Sequence, residues 1–348
     1  MFKKKQRSAT VVGLDLDPSH IAAAEVQVNG SVTVKKGAVV ALRPGVLRDG
    51  EASDPAALAE ALRELFEAND LPRRVRLGIA NQRIVVRSLD LPVIEDPKGL
   101  AAAVQQEAPD HIPMPMDEAV VDFQSLGVVD TPAGPRSRVV IVAVRREMIE
   151  RLVSATREAG LELEGIDLAA FGMVRALAPA SAGEQAILYI NVAGLTNVAV
   201  ANGSGCLFTR AAAGGLDAVV HNLSERRGLT QEHARQWMQH VGLLTPLEDV
   251  DGDAELIAAT RAALEEGVHQ LADTVRNSLN FYRMQDGAET VERALLTGPV
   301  LGIPGFADEL AEQLKLPVEP AFVVVDGDEE ADPARLAVAA GLAVEDRV

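Results

Sequence analysis

One sequence pattern occurs twice in this chain, and it restricts the possible folds more than any other feature. In the first copy, an apolar run within residues 11–26 breaks at a polar turn and resumes, and Asn29-Gly30 then reverses the chain. The second copy spans residues 186–201 and is followed by Asn202-Gly203. Asn-Gly favours a two-residue hairpin because both residues tolerate positive φ. The repeat predicts a duplicated domain in which each half begins with three antiparallel strands.

Length, charge and cysteine content exclude several classes of protein. A chain of 348 residues can bury a large core and is expected to form two domains or lobes. Its 51 acidic and 33 basic side chains give a net charge of -18, which opposes binding to nucleic acid and to anionic lipid. The single cysteine, Cys206, cannot form an internal disulfide and indicates a reducing compartment.

The N-terminal residues bear on membrane contact. No apolar run reaches the roughly 18 residues that span a bilayer, and no signal-peptide pattern precedes the first strand, so we expect a cytoplasmic protein. Lys3, Lys4, Lys5 and Arg7 form a short basic segment. It is either a solvated tail or a weak contact for an anionic membrane surface, where each basic residue contributes about 1 kcal/mol.

After the first hairpins, the pattern changes to alternating helices and strands. Ser53 or Asp54 can cap a helix that begins at Pro55, and a short strand follows at residues 75–80. Residues 82–160 then read as an α+β unit inserted into the first half. Its strands are predicted at 84–91, 119–129 and 138–144, and its helices at 96–108 and 146–159.

A loop inside this unit, His111 to Met116, contains two prolines and presents apolar side chains. Two interpretations are open: the loop packs against its own subdomain, or it forms an edge that binds a partner. The remaining predicted elements are a strand at 161–168, a helix at 169–177, a helical region at 217–284, a strand at 294–297, a helix at 306–314, an edge or exchange strand at 318–325, and a final helix from Asp332-Pro333.

Several segments of the chain carry short sequence motifs. Residues 104–124 contain a predicted helix, the loop Ile112-Pro113-Met114-Pro115 and a following strand. Further motifs are residues 145–160, residues 277–285, Leu296-Thr297-Gly298 and Ile303-Pro304-Gly305-Phe306. These segments resemble the PilM family of type IV pilus assembly proteins, in which similar stretches recur. They occur in the family's order and cover nearly the whole chain.

The resemblance implies an α/β, actin-like (ribonuclease H-like) duplicated two-lobe fold with an inserted α+β subdomain of the kind found in the cell-division protein FtsA. It implies four subdomains, two of which form the cores of the two lobes. The last helix is expected to pack either on the second core subdomain or back on the first. The four subdomains are a first core subdomain (1A) of residues 1–81 and 161–181, an inserted subdomain (1C) of 82–160, a second core subdomain (2A) of 182–217 and 288–348, and a helix-rich subdomain (2B) of 218–287.

The resemblance also implies a function as a scaffold. PilM-like proteins bind the short cytoplasmic N-terminal tail of the inner-membrane protein PilN and connect it to the pilus machinery, so contact with the membrane is indirect. The tail is expected in a groove between subdomains 1A and 1C. The residues expected near it are Gln82, Ile84, Val86, His111, Ile112 and Met114.

The first hairpin turn departs from the nucleotide-binding pattern that the resemblance implies. Actin-like pockets hold a triphosphate between two hairpins whose backbone amides point at the phosphates. Asp15 is kept, but Asp17 replaces the loop glycine, Pro18 removes an amide donor, and Ala22 stands where a lysine is expected. A carboxylate 4 Å from a phosphate charge costs up to about 4 kcal/mol at an effective dielectric of about 20, unless it recruits Mg²⁺ instead.

The other pocket segments depart as well. Asn191-Val192-Ala193 replaces an Asp-x-Gly pattern, and the adenine turn reads Gly298-Pro299. The helix that usually offers Ala-Glu-x-x-Lys to the ribose here has Arg235 in place of the glutamate and Met238 in place of the lysine. We therefore expect a degenerate pocket with no catalytic residue and no required cofactor, and weak binding of ATP and Mg²⁺ is the alternative. The candidate pocket residues are Asp15, Asp17, Ser19, Asn191, Thr196, Asn197, Gly214, Gly215 and Gly298.

Other functions stay open as alternatives. An active ATPase or a metabolite kinase of the same superfamily would need intact phosphate loops and a carboxylate base. An FtsA-like division protein would need an amphipathic membrane helix, and we expect none because the printed chain ends at Val348 directly after the last predicted helix. Self-association into filaments stays open. The histidines show no metal-ligand spacing, so no metal site is expected.

Overall fold

The computed structural model describes residues 10–179, 183, 185–327 and 331–344. The basic residues Lys3, Lys4, Lys5 and Arg7 therefore lie outside the described residues. A six-stranded sheet takes five strands from the first half of the chain and one, β16 (Val324–Val325), from near its end. Its order is β10-β6-β1-β2-β3-β16, with β10 at Glu162–Leu168. The first elements of the chain are β1 (Val12–Leu16), β2 (His20–Val28), β3 (Val32–Ala41), the short hairpin β4 (Leu47–Arg48) and β5 (Glu51–Ala52), α1 (Pro55–Ala68) and β6 (Arg74–Ile79).

Helix α1 begins as predicted. The Asp54 carboxylate accepts the amide of Ala57 at 3.0 Å, and Pro55 occupies a first-turn position where no amide donor is needed. The buried side chains of the helix recur at helical spacing and pack against the first sheet. This helix covers one face of the sheet that carries the first hairpin turn.

The inserted unit forms its own three-stranded sheet, with the order β7-β9-β8. Both of its helices and all three of its strands were predicted. They are β7 (Val85–Pro92), α2 (Pro97–His111), β8 (Ala119–Thr131), β9 (Gly134–Arg145) and α3 (Arg146–Glu158). Met148 and Leu152 of α3 join the apolar cluster of the first sheet, so the insert is fixed to that half through its last helix.

The chain then completes the first sheet and starts the second. The second sheet has five strands in the order β13-β12-β11-β14-β15. The elements are β10 (Glu162–Leu168), α4 (Ala169–Leu177), β11 (Ile187–Val192), β12 (Thr196–Asn202), β13 (Gly205–Ala212), α5 (Leu216–Arg227), α6 (Gln231–Val241), α7 (Ala254–Arg283), β14 (Ala294–Thr297), α8 (Phe306–Leu314), β15 (Val318–Pro320), β16 (Val324–Val325) and α9 (Ala337–Leu342). Two 3-10 helices lie at Leu247–Asp249 and Pro299–Gly302.

The predicted exchange strand at 318–325 connects the two sheets. Its first part, β15, pairs in parallel with β14, and its second part, β16, pairs in parallel with β3 of the first sheet. The final helix α9 packs against α4 and β1, where a Cβ on Gly13 would lie 1.9 Å from the Ala339 carbonyl oxygen. The last helix therefore packs on the first sheet, and glycine at position 13 permits the close approach.

Three local predictions were wrong. Only Gly30 of the Asn29-Gly30 pair has a positive φ, so this turn is not the predicted mirror-image hairpin turn. In the second hairpin the loop residues are Gly203-Ser204, because Asn202 pairs with Gly205 and its Oδ1 accepts the Ser204 amide at 2.9 Å. The last helix begins at Ala337, since the Asp332 carboxylate holds residues 333–336 in a turn ahead of it.

Candidate nucleotide and partner sites

The two predicted hairpin turns face each other and are joined by one side chain. The Asp17 carboxylate, in the β1–β2 turn, accepts the amide of Gly194 at 2.9 Å and that of Leu195 at 3.3 Å, both in the β11–β12 turn. Within its own turn it accepts the Ser19 amide at 3.0 Å and the Ser19 hydroxyl at 2.7 Å. The side chain is almost completely buried. One carboxylate therefore accepts hydrogen bonds from backbone amides of both turns.

A buried histidine completes the bonding of this carboxylate. His20 Nδ1 lies 3.3 Å from Asp17 Oδ1 and 3.1 Å from the Ser19 hydroxyl. Burial alone raises the pKa of Asp17, but the hydrogen bonds and charge of His20 and the bonds of Ser19 outweigh it and lower that pKa. Burial lowers the pKa of His20, and the Asp17 hydrogen bond and the charges of Asp17 and Asp15 raise it overall. Both shifts favour the charged forms, a carboxylate on Asp17 and an imidazolium on His20.

Asp15 has a different environment two residues earlier. It pairs with Ala22 across the β1–β2 hairpin and is buried. Burial raises its pKa to about 7, with the nearby Asp17 charge adding to the shift and the His20 charge opposing it. The carboxyl that the sequence retains is consequently half protonated near neutral pH, whereas Asp17 is ionised.

The second turn is built on close backbone contacts. A Cβ on Gly215, the residue before α5, would lie 2.1 Å from the Ala193 carbonyl oxygen, and the Leu216 amide donates to that same oxygen at 2.8 Å. Gly298 has a φ of +99°, and a Cβ on this residue would lie only 2.5 Å from Asn191 Oδ1. These predicted glycine positions therefore hold the turn region together by permitting close approach, whereas Gly214 has open space around it at a φ of +84°.

The remaining predicted pocket residues are close to the same turn. Asn191 pairs across the sheet with Asn197 and with Thr297, and Thr196 starts the next strand. All of these side chains are buried, and the Thr196 hydroxyl has no hydrogen-bond partner among the residues that the structure describes. The structure thus brings together the residues predicted from both halves.

Helix α6 contributes an ion pair beside the second turn. Arg235 Nη2 donates to Asp217 Oδ1 at 2.9 Å, and the other Asp217 oxygen lies 2.9 Å from where a Cβ on Gly194 would be. Sequence reasoning assigned no function to Asp217. The signal that could have indicated it is its position in the first turn of α5, two residues after Gly215.

A cavity of about 570 Å³ lies between the insert and the second half of the chain. Six consecutive residues of β7, Val86 to Leu91, line one side. Leu207 to Thr209 of β13 line another, and the end of α7 with the segment after it supplies Phe281, Tyr282 and residues 284–288. Both β7 and β13 are edge strands of their sheets. We name this cavity the β7–β13 groove.

The predicted partner residues are distributed unevenly around this groove. Val86 and His111 line it. Ile84 and Val86 line a smaller adjoining recess together with Asn197, and Gln82 is exposed. Ile112 is buried in the apolar cluster of the insert, and Met114 packs against that cluster. The loop therefore packs against its own subdomain, and Ile112 does not belong to an accessible contact surface.

Sequence reasoning missed the contribution of α7 to the groove. Phe281 and Met284 are exposed apolar side chains at its C-terminal end, and Arg138 from β9 lies across from them. Arg138 makes a two-bond ion pair with Asp90 at 2.7 and 2.8 Å. In the sequence, residues 277–285 supported only the resemblance to the family. Their apolar residues could also have indicated a contact surface.

The described residues also bear on metal binding and on membrane insertion. Within residues 10–179, 183, 185–327 and 331–344, no group of three or more His, Cys, Asp or Glu side chains could hold a metal ion. His221 and His269 each lie near a carboxylate four residues away on an exposed helix face. Among the described helices, none is both long and apolar enough to cross a bilayer.

The two sheets, the duplicated hairpins and the glycine turns together define an actin-like two-lobe fold. Solved structures agree with this class. The chain is similar to MreB5 of Spiroplasma citri bound to ADP, with a TM-score of 0.55 and 13% identity over 96% of this chain and 95% of that one. The ethanolamine utilization protein EutJ from Carboxydothermus hydrogenoformans gives a TM-score of 0.53 and 15% identity over 98% and 91%. At these identities the similarity establishes the fold alone.

Two further comparisons identify the family. The family model of the type IV pilus assembly protein PilM matches residues 13–346. The chain is also similar to a structure of the PilM-PilN type IV pilus biogenesis complex, with a TM-score of 0.77 and 26% identity over 96% of this chain and 97% of that chain. The chain belongs to the PilM family of type IV pilus assembly proteins.

Proposed function

We propose that this protein is a scaffold of type IV pilus assembly that binds the N-terminal cytoplasmic tail of a PilN-like inner-membrane protein. The observation that carries the proposal is the similarity, over almost the whole chain, to a structure of a PilM-PilN complex. The tail would hold the protein at the inner face of the cytoplasmic membrane and connect it to other pilus components. Contact with the membrane would then be indirect.

The β7–β13 groove is our candidate for the tail-binding site, and it lies between the insert and the second half of the chain instead of between subdomains 1A and 1C, where the resemblance placed the tail. Two strand edges line it, and each offers backbone donors and acceptors that its own sheet does not use. An extended peptide can pair with such an edge while its alternate side chains enter pockets. Phe281 and Met284 add apolar surface, with exposed fractions of 49% and 84%. The groove therefore suits a short extended tail that carries apolar side chains.

We also propose that the protein does not hydrolyse ATP and does not bind it tightly. The amides of Gly194 and Leu195, in the turn where an actin-like protein holds phosphate, already donate to Asp17. Pro18 lacks an amide donor, and Arg235 is paired with Asp217 beside the turn. These residues fit a triphosphate poorly. An active nucleotide-switched ATPase is the alternative, and calorimetry with Mg-ATP tests it, since low-micromolar affinity would refute our proposal.

Tail binding can be measured with a fluorescent peptide that copies the cytoplasmic tail of a PilN-like protein from the same organism. Met284→Glu places a charge in the groove, and we expect it to weaken binding at least tenfold. Leu244→Glu is the matched control, because Leu244 is 70% exposed and lies outside the groove. Equal affinity of the wild type and Met284→Glu would exclude the groove, and failure of the wild type to bind would refute the scaffold function.

A further inference from the structure

The bonding of Asp17 is that of a bound anion. Its two oxygens accept three backbone amides, from Ser19, Gly194 and Leu195, and the Ser19 hydroxyl. A buried carboxylate is strongly destabilising unless it is paired and hydrogen-bonded, and here every bond comes from one of the two hairpin turns or from His20. The chain therefore supplies its own negative group at the place where an actin-like pocket would receive one from a nucleotide.

We propose that Asp17 fastens the two halves of the protein to each other, and that this link sets the width of the β7–β13 groove without a nucleotide. We name the bonds from Asp17 to Gly194 and Leu195 the Asp17 clasp. The part of the proposal that concerns the groove rests on the proposed function, because the groove is our candidate tail site. The clasp itself stands on its geometry.

The groove takes one side from each half of the chain. Strand β7 belongs to the insert, which is fixed to the first sheet through α3. The insert follows directly on Asn81, whose side-chain amide donates to the Asp49 carbonyl oxygen at 2.7 Å. Strand β13 pairs with β12 in the second sheet. A change in the angle between the two sheets must therefore move β13 relative to β7.

A continuous path of contacts leads from the clasp to the groove. Leu195 directly precedes β12, and Asn197 in β12 pairs with Ala211 in β13. Asn197 and Ala211 line the small recess that also contains Val86 and Thr209, and those two residues line the groove as well. Displacement of the 193–195 turn is thereby transmitted to β13 over a few residues.

The contact between the two sheets allows such a movement. Apart from the connection through β15 and β16, it is largely an apolar cluster around α4 and α9, in which Tyr189 and Leu336 are buried. Apolar contacts are non-directional, so the cluster can serve as a pivot, whereas the clasp bonds require fixed distances and angles. The clasp therefore determines how far the turn end of the two halves can open.

The experiment measures the spacing across the groove directly in the full chain. Ser88→Cys and Met284→Cys place spin labels on opposite sides of the groove, and pulsed electron paramagnetic resonance gives the distance between them. The native Cys206 is buried and does not compete for the label. The distance is measured with wild-type Asp17, with Asp17→Ala and with Asp17→Asn. Asp253→Ala is the matched control, since Asp253 caps the Leu256 amide at the start of α7, away from the clasp.

We expect Asp17→Ala to lengthen or broaden the distance distribution by more than about 2 Å. Asp17→Asn, which keeps one acceptor oxygen but no charge, should give a smaller change, and Asp253→Ala none. Hydrogen exchange of the 190–197 segment, measured on the same variants, should rise at least tenfold in Asp17→Ala. Far-ultraviolet circular dichroism and a cooperative thermal transition confirm that each variant is folded.

Each outcome decides one part of the proposal. Unchanged exchange at 190–197 in folded Asp17→Ala would refute the clasp. Raised exchange with an unchanged label distance would show that the clasp forms but does not set the groove, and would refute the coupling. Both measurements omit the tail, so they do not depend on whether the tail binds. A wild type that keeps the clasp but binds no tail refutes only the proposed function.

Discussion

Replacing Asp15 with asparagine tests the electrostatics of the first turn. Burial raises the pKa of Asp15 from its usual 3.8 to about 7. Between those values the folded protein holds a proton that the unfolded chain releases, so the contribution of Asp15 to the stability of the wild type falls as pH rises and levels off above about 7. One pKa unit corresponds to 1.36 kcal/mol. From pH 5.5 to pH 8 the Asp15 contribution therefore falls by about 2 kcal/mol, because the decrease extends over the roughly 1.5 pH units between pH 5.5 and the pKa of about 7.

The assay is urea denaturation of the wild type and of Asp15→Asn at several pH values between 5.5 and 8. As pH rises across this range, the free energy of unfolding of the variant relative to that of the wild type should increase by about 2 kcal/mol. Any cost of the asparagine that does not depend on pH cancels in this comparison. Asp249→Asn, at an exposed position, should show no such shift. A difference that stays constant with pH would show that Asp15 is ionised throughout, and would refute the argument from burial.

Three further predictions concern backbone contacts, a thiol and the last helix. Gly298→Ala should lower the thermal midpoint far more than Gly127→Ala, because both have positive φ but only a Cβ at 298 meets another atom, Asn191 Oδ1 at 2.5 Å; equal effects would refute the contact. Cys206 should react with a thiol reagent at pH 8 only after unfolding, because burial raises the pKa of its thiol to about 12, and rapid labelling of the native protein would contradict this. Arg76→Met should destabilise the protein by about 1–3 kcal/mol, because its guanidinium donates to two carbonyl oxygens at the end of α9, and calorimetry that finds no change would refute this anchoring.

Local patterns were enough to predict most of the secondary structure. The apolar runs and their polar turns placed both sets of hairpins, and the capping pattern at Asp54-Pro55 placed α1. The inserted unit was predicted element by element, with bounds that differ from the observed ones by a few residues. These successes depend on interactions within about ten residues, which the order of the sequence contains directly. The division into four subdomains stays a prediction.

Contacts between distant residues were not predictable in the same way. The bond from Gly194 to Asp17 joins positions 177 residues apart, and nothing near either residue indicates the other. The division of 318–325 into strands of two different sheets depends equally on where those sheets lie. The groove illustrates the same limit, because the exposed apolar residues at the end of α7 can be assigned to a groove only when β7 is seen opposite them.

The substitution of aspartate for the loop glycine has a different physical meaning in the structure than in the sequence. In the sequence, Asp17 reads as a charge that repels a phosphate. In the structure, its carboxylate is buried, and its two oxygens accept four hydrogen bonds from Ser19, Gly194 and Leu195, with His20 beside it. Loss of that group would leave the amides of Ser19, Gly194 and Leu195 without this partner, and a buried amide left unsatisfied costs about 1–3 kcal/mol. The same turn that argues against tight nucleotide binding therefore also contributes to the stability of the two-lobe arrangement.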